Sequence, residues 1–167
     1  MVWLIVMGVA GCGKSTLGHA LARVEQLQVI EGDDFHDEAS RAKMSRGIAL
    51  TDADRDGWLQ VLGRQLRAHP QGVLLTCSAL KRAYRDRLRA AQREVRFVFM
   101  DIGPEEARAR VDARASTHFF APSLVDSQFA TLERPDDEPG VLRVDALAPI
   151  PRLQREVAQW LHSGAQE

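Results

Sequence analysis

Short apolar runs alternate along the chain with segments whose apolar residues recur at helical spacing. A strand covered by helices on both faces has no polar side, so continuous apolar runs predict buried strands of a parallel sheet. Five strands are predicted, at residues 2–7, 27–30, 73–77, 95–100 and 141–144. Helices are predicted between and after them, at residues 14–24, 39–46, 51–66, 80–91, from 103, 122–132 and 150–161. This alternation predicts an α/β fold, a five-stranded parallel sheet with helices on both faces.

One predicted helix has a well-defined start. Thr51 and Asp54 stand at the spacing of a capping box, in which each side chain bonds the backbone N–H of the other residue. Trp58, Leu62 and Leu66 then fall on one face of this helix, as a helix packed on a core requires.

Length and composition favour one ordinary globular domain over residues 1–167. Hydrophobic residues make up 45% of the 167 and charged residues 27%, with a formal net charge of −1. This balance gives no support to a nucleic-acid or membrane partner, and we expect neither. The longest apolar run, at 2–7, is too short to cross a bilayer and lacks the basic flank of a signal peptide. Cys12 and Cys77 form no metal-binding pattern, so we expect reduced thiols in a cytoplasmic protein.

The loop after the first strand carries the strongest motif. It matches G-x-x-x-x-G-K-[ST] at every required position, with Gly8, Val9, Ala10, Gly11, Cys12, Gly13, Lys14 and Ser15. In such a loop, backbone N–H groups and the N-terminus of the following helix bind phosphate oxygens. The alternative is an ordinary glycine-rich turn between a strand and a helix, but such a turn does not require a lysine and a hydroxyl residue at its end. Lys14 is expected to reach the β- and γ-phosphates of ATP and Ser15 to bind Mg²⁺, with Thr16 completing the nucleotide site.

Two acidic segments compete for the metal and the acceptor hydroxyl. Residues 31–34 follow the second strand, and Asp101 ends the fourth. We favour the first segment, since three carboxylates within four residues are tolerable when a cation or a hydroxyl lies among them. Glu31 and Asp33 project to the same side of an extended segment, so one suits Mg²⁺ and the other the hydroxyl proton. Asp101 is interpreted as a cap for the helix after residue 103.

These motifs and several others resemble the short gluconokinases, relatives of shikimate and adenylate kinases. The resemblance spans nearly the whole chain, over residues 8–15, 31–36, 43–47, 50–59, 77–86, 118–120 and 128–133. Only three of the 22 basic residues are lysines, and all three (Lys14, Lys43 and Lys81) lie within these motifs. One interpretation is that these positions require a compact ammonium rather than a guanidinium. The alternative is that the lysines fall there by chance.

The resemblance implies ATP-dependent phosphorylation of gluconate to 6-phosphogluconate on a P-loop fold with a lid near residues 112–123. It implies that Glu31 serves the metal and Asp33 the acceptor. Arg110 would lie over the adenine, and Arg114 would reach the transferred phosphoryl group as a catalytic residue together with Lys14. A homodimer is implied by the resemblance alone.

Gluconate requires a cation for its carboxylate and polar groups for its hydroxyls. The candidate cations are Lys81, as first choice, Arg82 and Arg55. The candidate hydroxyl partners are Ser78, Asp33 and His36. The other arginines of the same helix, Arg85, Arg87 and Arg89, are expected on a solvated face.

The alternative functions are a kinase for another small hydroxy acid such as shikimate, or a non-enzymatic nucleotide switch. Against the switch, the D-x-x-G at 54–57 falls inside a helix and no N-K-x-D follows.

Overall fold

A computed structural model of the chain describes residues 1–114 and 121–163. Its single sheet has five parallel strands in the order β2-β3-β1-β4-β5. The strands are β1 Val2–Met7, β2 Val29–Glu31, β3 Gly72–Thr76, β4 Arg96–Asp101 and β5 Val141–Asp145. The predicted fold class is confirmed; β1 has the expected bounds, and the other four strands shift by one or two residues at one or both ends.

The helices cover both faces of this sheet. They are α1 Lys14–Glu25, α2 Glu38–Ser45, α3 Asp52–Ala68, α4 Arg82–Ala91, α5 Pro104–Arg114, α6 Ser123–Thr131 and α7 Ile150–Ser163, with a 3₁₀ turn at Gly32–Phe35. Alternate residues of β1 face opposite sides, so Leu4 joins a core with α1, α5 and α7, and Ile5 joins a core with α3 and α4. Within the described ranges, no helix is long and apolar enough to cross a membrane.

The capping box that starts α3 is confirmed. Thr51 Oγ1 accepts from the Asp54 N–H at 3.1 Å, and Asp54 Oδ2 accepts from the Thr51 N–H at 2.9 Å. Lys43 Nζ also lies 2.8 Å from the Asp54 carboxylate. The hydrogen bond from Lys43, with the backbone bond from Thr51, lowers the pKa of Asp54 to about 2. The first turn of α3 is therefore fixed by two independent contacts.

The expectation that Arg85 lies on a solvated face is wrong. Its side chain is fully buried, and it forms an ion pair with Glu138, whose side chain is 4% exposed. Burial of an arginine is tolerable when its donors are paired, and Glu138 supplies the charge from a turn 53 residues further along the chain. The sequence of α4 carries no sign of this partner.

The interpretation of Asp101 as a helix cap is also wrong. Its carboxylate pairs with Arg134 at 2.9 Å and with Arg143 at 2.6 Å. These bonds, led by the one from Arg134, lower the pKa of Asp101. Both carboxylate oxygens of Asp101 therefore form structural ion pairs with arginines at the end of β4.

Candidate active site

The loop between β1 and α1 has the shape that the motif predicts. Gly8 and Gly11 have φ angles of 147° and 83°, in a region that residues with a side chain rarely adopt. A Cβ on Gly11 would lie 2.7 Å from the Ala107 carbonyl oxygen, so α5 packs directly against the loop. The Cys12 side chain is fully buried beneath the turn. The sequence thus forms a loop that only these small residues permit.

Two cations hold the loop from different sides. Lys14 Nζ donates to the carbonyls of Gly8 and Val9 at 3.0 and 3.2 Å, which places the ammonium across the loop. Arg110, from α5, donates to the Cys12 carbonyl at 3.1 Å and to the Ala146 carbonyl at 3.0 Å. Arg110 therefore joins the loop to the turn that follows β5.

Ser15 and Glu31 meet at the end of the loop, where the metal was expected. Ser15 Oγ donates to Glu31 Oε2 at 2.9 Å, and Thr76 Oγ1 donates to the same oxygen at 2.5 Å. His19 Nε2 lies 3.1 Å from the other oxygen. Among the described residues no group of three or more His, Cys, Asp or Glu side chains could hold a metal. Mg²⁺ is usually held by one or two protein oxygens with water and substrate phosphates, so this pair fits it.

Asp33 lies on the 3₁₀ turn after β2, with a side chain that is 82% exposed. His36 Nε2 is 3.5 Å from its Oδ1. The hydrogen bond from His36, aided by the charge of Lys14, holds the pKa of Asp33 below its ordinary value. Asp33 is therefore a carboxylate at neutral pH, open to an acceptor and close enough to Lys14 to feel its charge.

His36 is buried beside Asp33 and lacks a partner on one side. Its ring stacks on Trp58 with centroids 4.4 Å apart, and Trp58 Nε1 donates to the Gly32 carbonyl at 2.8 Å. His36 Nδ1 is buried with no hydrogen-bond partner in the described part of the chain. An unpaired buried polar atom costs free energy, which the contacts of His36 with Asp33 and Trp58 must offset.

A cleft of about 590 Å³ brings most of the predicted site together. From the sequence-based prediction it is lined by Ala10, Gly11, Gly13, Lys14, Ser15, Thr16, Asp33, His36, Arg55, Ser78 and Arg114. Gly8, Val9, Cys12 and Arg110 belong to the loop or brace it, and Glu31 contacts Ser15 from beside the cleft. One opening thus reaches both the phosphate loop and Asp33.

Lys81 and Arg82, by contrast, do not line this cleft. Lys81 Nζ lies 2.9 Å from Asp52 Oδ1, where its charge is matched. Arg82 is exposed and lies 3.8 Å from Asp86. Arg55 does reach the cleft, although it is only 8% exposed, and donates to the Leu50 carbonyl at 3.0 Å.

Arg41 and Gln128 line the cleft but were not among the predicted site residues. Arg41 donates from Nε to the His36 carbonyl at 3.0 Å and from Nη2 to the Asp34 carbonyl at 2.8 Å, which braces the turn that carries Asp33. Gln128 Oε1 accepts the Ala10 N–H of the phosphate loop at 2.7 Å. Gln128 stood in a motif of the resemblance, but no spacing rule joins it to Ala10, which lies 118 positions away. Residues 115–120, which are half of the expected lid and include 118–120, lie outside the described residues.

A phosphate loop that opens on a carboxylate across one cleft, on this sheet, defines a P-loop kinase. A family model described as an AAA domain matches residues 3–135. The gluconokinase of Gluconobacter oxydans is 44% identical over 145 residues, which cover 85% of this chain and 81% of that protein. The chain therefore belongs to the gluconokinase family.

Solved structures agree with this assignment. A gluconokinase from Sinorhizobium meliloti superposes with a TM-score of 0.86 at 37% identity, covering 99% of this chain and 98% of that one. A sugar kinase from Janibacter superposes with a TM-score of 0.91 at 38% identity, covering 96% and 94%. The predicted resemblance is confirmed over nearly the full length of the chain.

Proposed function

We propose that the chain transfers the terminal phosphoryl group of ATP to the terminal hydroxyl of gluconate, which gives ADP and 6-phosphogluconate. The observation that carries this proposal is the shared cleft: Lys14 and Ser15 on one wall face the same opening as Asp33 on the other. A reaction between two bound substrates requires such an arrangement, because the nucleophile and the phosphorus must be held in line.

The nucleotide wall supplies positive charge and backbone donors. Loop N–H groups and Lys14 receive the phosphates, and Arg114, which lines the same cleft, neutralises charge on the group in transfer. Ser15 and Glu31 would hold Mg²⁺, which supplies further neutralisation of the phosphate oxygens when bound.

Asp33 orients the acceptor. Its lowered pKa makes it a weak base, but phosphoryl transfer through a loose transition state depends more on alignment than on proton abstraction. Asp33 accepts a hydrogen bond from the attacking hydroxyl and takes its proton as the new phosphorus–oxygen bond forms. The side chains of His36 and Ser78, which also line the cleft, serve other hydroxyls of the polyol.

The carboxylate of the acceptor is assigned to Arg55 and Arg41. Both line the cleft, whereas the ammonium of Lys81 is matched by Asp52 outside it. Arg41 is fixed by the carbonyls of Asp34 and His36, so little conformational entropy is lost when it binds an anion. A planar guanidinium also matches a carboxylate better than a point charge does.

The test is an ADP-release assay with gluconate, shikimate and nucleoside monophosphates as acceptors, run with ATP and with GTP. Gluconate with ATP is expected to give the highest kcat/KM. Asp33→Asn should lower kcat by about 10²–10⁴-fold with little change in ATP affinity. Asp34→Asn is the matched control, since the neighbouring carboxylate does not line the cleft. Wild-type turnover in Asp33→Asn, or a preference for another acceptor, would contradict the proposal. The cytoplasmic location, the homodimer and the lid stay predictions.

A further inference from the structure

Gln128 occupies a backbone donor of the phosphate loop. Its Oε1 accepts the Ala10 N–H at 2.7 Å, although the two residues lie 118 positions apart. Ala10 belongs to the loop whose N–H groups face phosphates, and it lines the cleft. The side chain of Gln128 lines the same cleft, from helix α6. A neutral amide oxygen therefore accepts the hydrogen bond of a loop N–H that a nucleotide phosphate oxygen can accept instead.

The exchange favours the phosphate. A hydrogen bond from an N–H to an anionic oxygen is roughly twice as strong as one between neutral groups. A bound triphosphate is thus expected to take the Ala10 N–H and release the Gln128 side chain. Because the amide group of glutamine both donates and accepts, the released side chain can pair with hydroxyls on either side of it. Within the described residues, its Nε2 has no hydrogen-bond partner of its own.

Helix α6 is held so that the released side chain stays near the acceptor wall. The Glu133 N–H, just beyond the helix, donates to the Leu80 carbonyl at 2.8 Å, and Glu133 Oε1 accepts the Arg82 N–H at 2.9 Å. The loop that carries Leu80 also carries Ser78, whose carbonyl accepts the Gly8 N–H at 3.3 Å. Gln128 is therefore mounted on a helix that is fixed to both walls of the cleft.

We propose that Gln128 is a positioning residue that makes acceptor binding depend on the nucleotide: it pairs with the Ala10 N–H in the free enzyme and with acceptor hydroxyls once phosphate has taken that N–H. This inference rests on the proposed function, because the acceptor is taken to be a polyol acid. It implies that gluconate binds more tightly to the nucleotide-bound enzyme. By linkage, gluconate then raises the affinity for the nucleotide by the same factor.

The experiment measures the Kd of gluconate by calorimetry, with and without a non-hydrolysable ATP analogue and Mg²⁺. We expect the wild type to bind gluconate at least about fivefold more tightly with the analogue. Gln128→Met and Gln128→Asn should keep the affinity of the free enzyme for gluconate and lose this enhancement. At saturating ATP, the KM for gluconate should rise by the same factor. A shift confined to the nucleotide-bound state is not what a merely structural residue would produce.

Gln154→Met is the matched control. Gln154 also makes one side-chain bond to the backbone, from Nε2 to the Ala20 carbonyl at 3.0 Å, but it lies outside the cleft. It should retain the full enhancement. The inference is overturned if the wild type shows no enhancement, if Gln128→Met retains it, or if that variant loses gluconate affinity equally in both states. A wild type that binds no gluconate in either state overturns the proposed function as well.

Discussion

The buried pair of Arg85 and Glu138 gives the sharpest test of how the acceptor side is held. The guanidinium donates to Glu138 Oε1 at 2.9 Å, to the Ala79 carbonyl at 2.7 Å and to the Glu133 carbonyl at 2.8 Å. It thereby joins the loop after β3, the end of α6 and the turn before β5. Arg85→Met retains an unbranched apolar side chain and removes all of these donors, so it tests the bonds more than the packing.

The expected loss of stability is large for a single substitution. Burial raises the pKa of Glu138, but hydrogen bonds from Arg85 and Arg89 outweigh it, and the pKa stands below its ordinary value of 4.5. Among the described residues, the variant leaves Arg89 Nη2 alone, at 2.9 Å, to compensate the buried carboxylate. Removal of one partner of a buried pair costs about 3–5 kcal/mol. At roughly 2–4 °C per kcal/mol for a domain of this size, the Tm should fall by about 6–20 °C.

The assay is urea denaturation of Arg85→Met, Glu138→Gln and the double variant, followed by circular dichroism at pH 7. Each single variant leaves one group uncompensated, so the double variant should lose at least about 1 kcal/mol less than the sum of the two. Arg87→Met, on the same helix, breaks an exposed pair with Asp56 and should cost less than about 1 kcal/mol. Additivity within about 0.5 kcal/mol, or equal losses for Arg85→Met and Arg87→Met, would refute this reasoning.

Three further predictions concern the site and its support. Arg55→Gln should raise the KM for gluconate at least about tenfold without changing the KM for ATP, whereas Lys81→Gln should change either by less than about threefold, in steady-state kinetics. Glu31→Gln should raise the Mg²⁺ concentration for half-maximal rate by about tenfold or more, in a magnesium titration. Thr51→Ala should lower the free energy of unfolding by about 1 kcal/mol in urea at pH 7. Because the folded-state pKa of Asp54 is about 2, against 3.8 as its reference, the stability that its ionised form contributes is lost as the pH falls from about 4 to 2.

Each of these predictions has a contrary result. A greater effect of Lys81→Gln than of Arg55→Gln on the KM for gluconate would return the carboxylate to the residue that the sequence favoured. An unchanged magnesium requirement in Glu31→Gln would remove that residue from the metal site. A Thr51→Ala protein as stable as the wild type would mean that the contacts of Lys43 alone hold the start of α3.

The fold was predictable because its signals are local. A strand buried on both faces reads as a continuous apolar run, and the phosphate loop is a contiguous motif between such a run and a helix. The ends of strands were less predictable, since they depend on neighbours. Glu31 lies in β2 because it pairs with Thr76 of β3, and the short apolar segment at 27–30 does not show where that pairing begins or ends.

The site was most predictable where its residues follow a strand directly. Asp33 and His36 follow β2 directly, so their location at the carboxyl edge of the sheet could be predicted from the position of that strand. Arg85 could not be recognised as buried, because the charge that compensates it comes from Glu138, on a distant turn. Gln128 likewise meets Ala10 through tertiary packing alone. A helical pattern shows that an arginine can face inward, but it does not show which carboxylate will form an ion pair with it.

The structure gives a physical reason for lysine at two of the three positions where this sequence uses it, and the reason differs from a direct role in the site. Lys43 and Lys81 each donate to both carboxylate oxygens of one acid, Asp54 and Asp52 respectively, and both acids stand in the first turn of α3. Acidic residues in a first turn stabilise the helix N-terminus, and a compact ammonium beside each holds that turn to its neighbours. The next turn of this helix carries Arg55, the assigned partner of the acceptor carboxylate. We therefore expect Lys81 to influence acceptor binding only through the position of α3, which is why its substitution should have a modest effect.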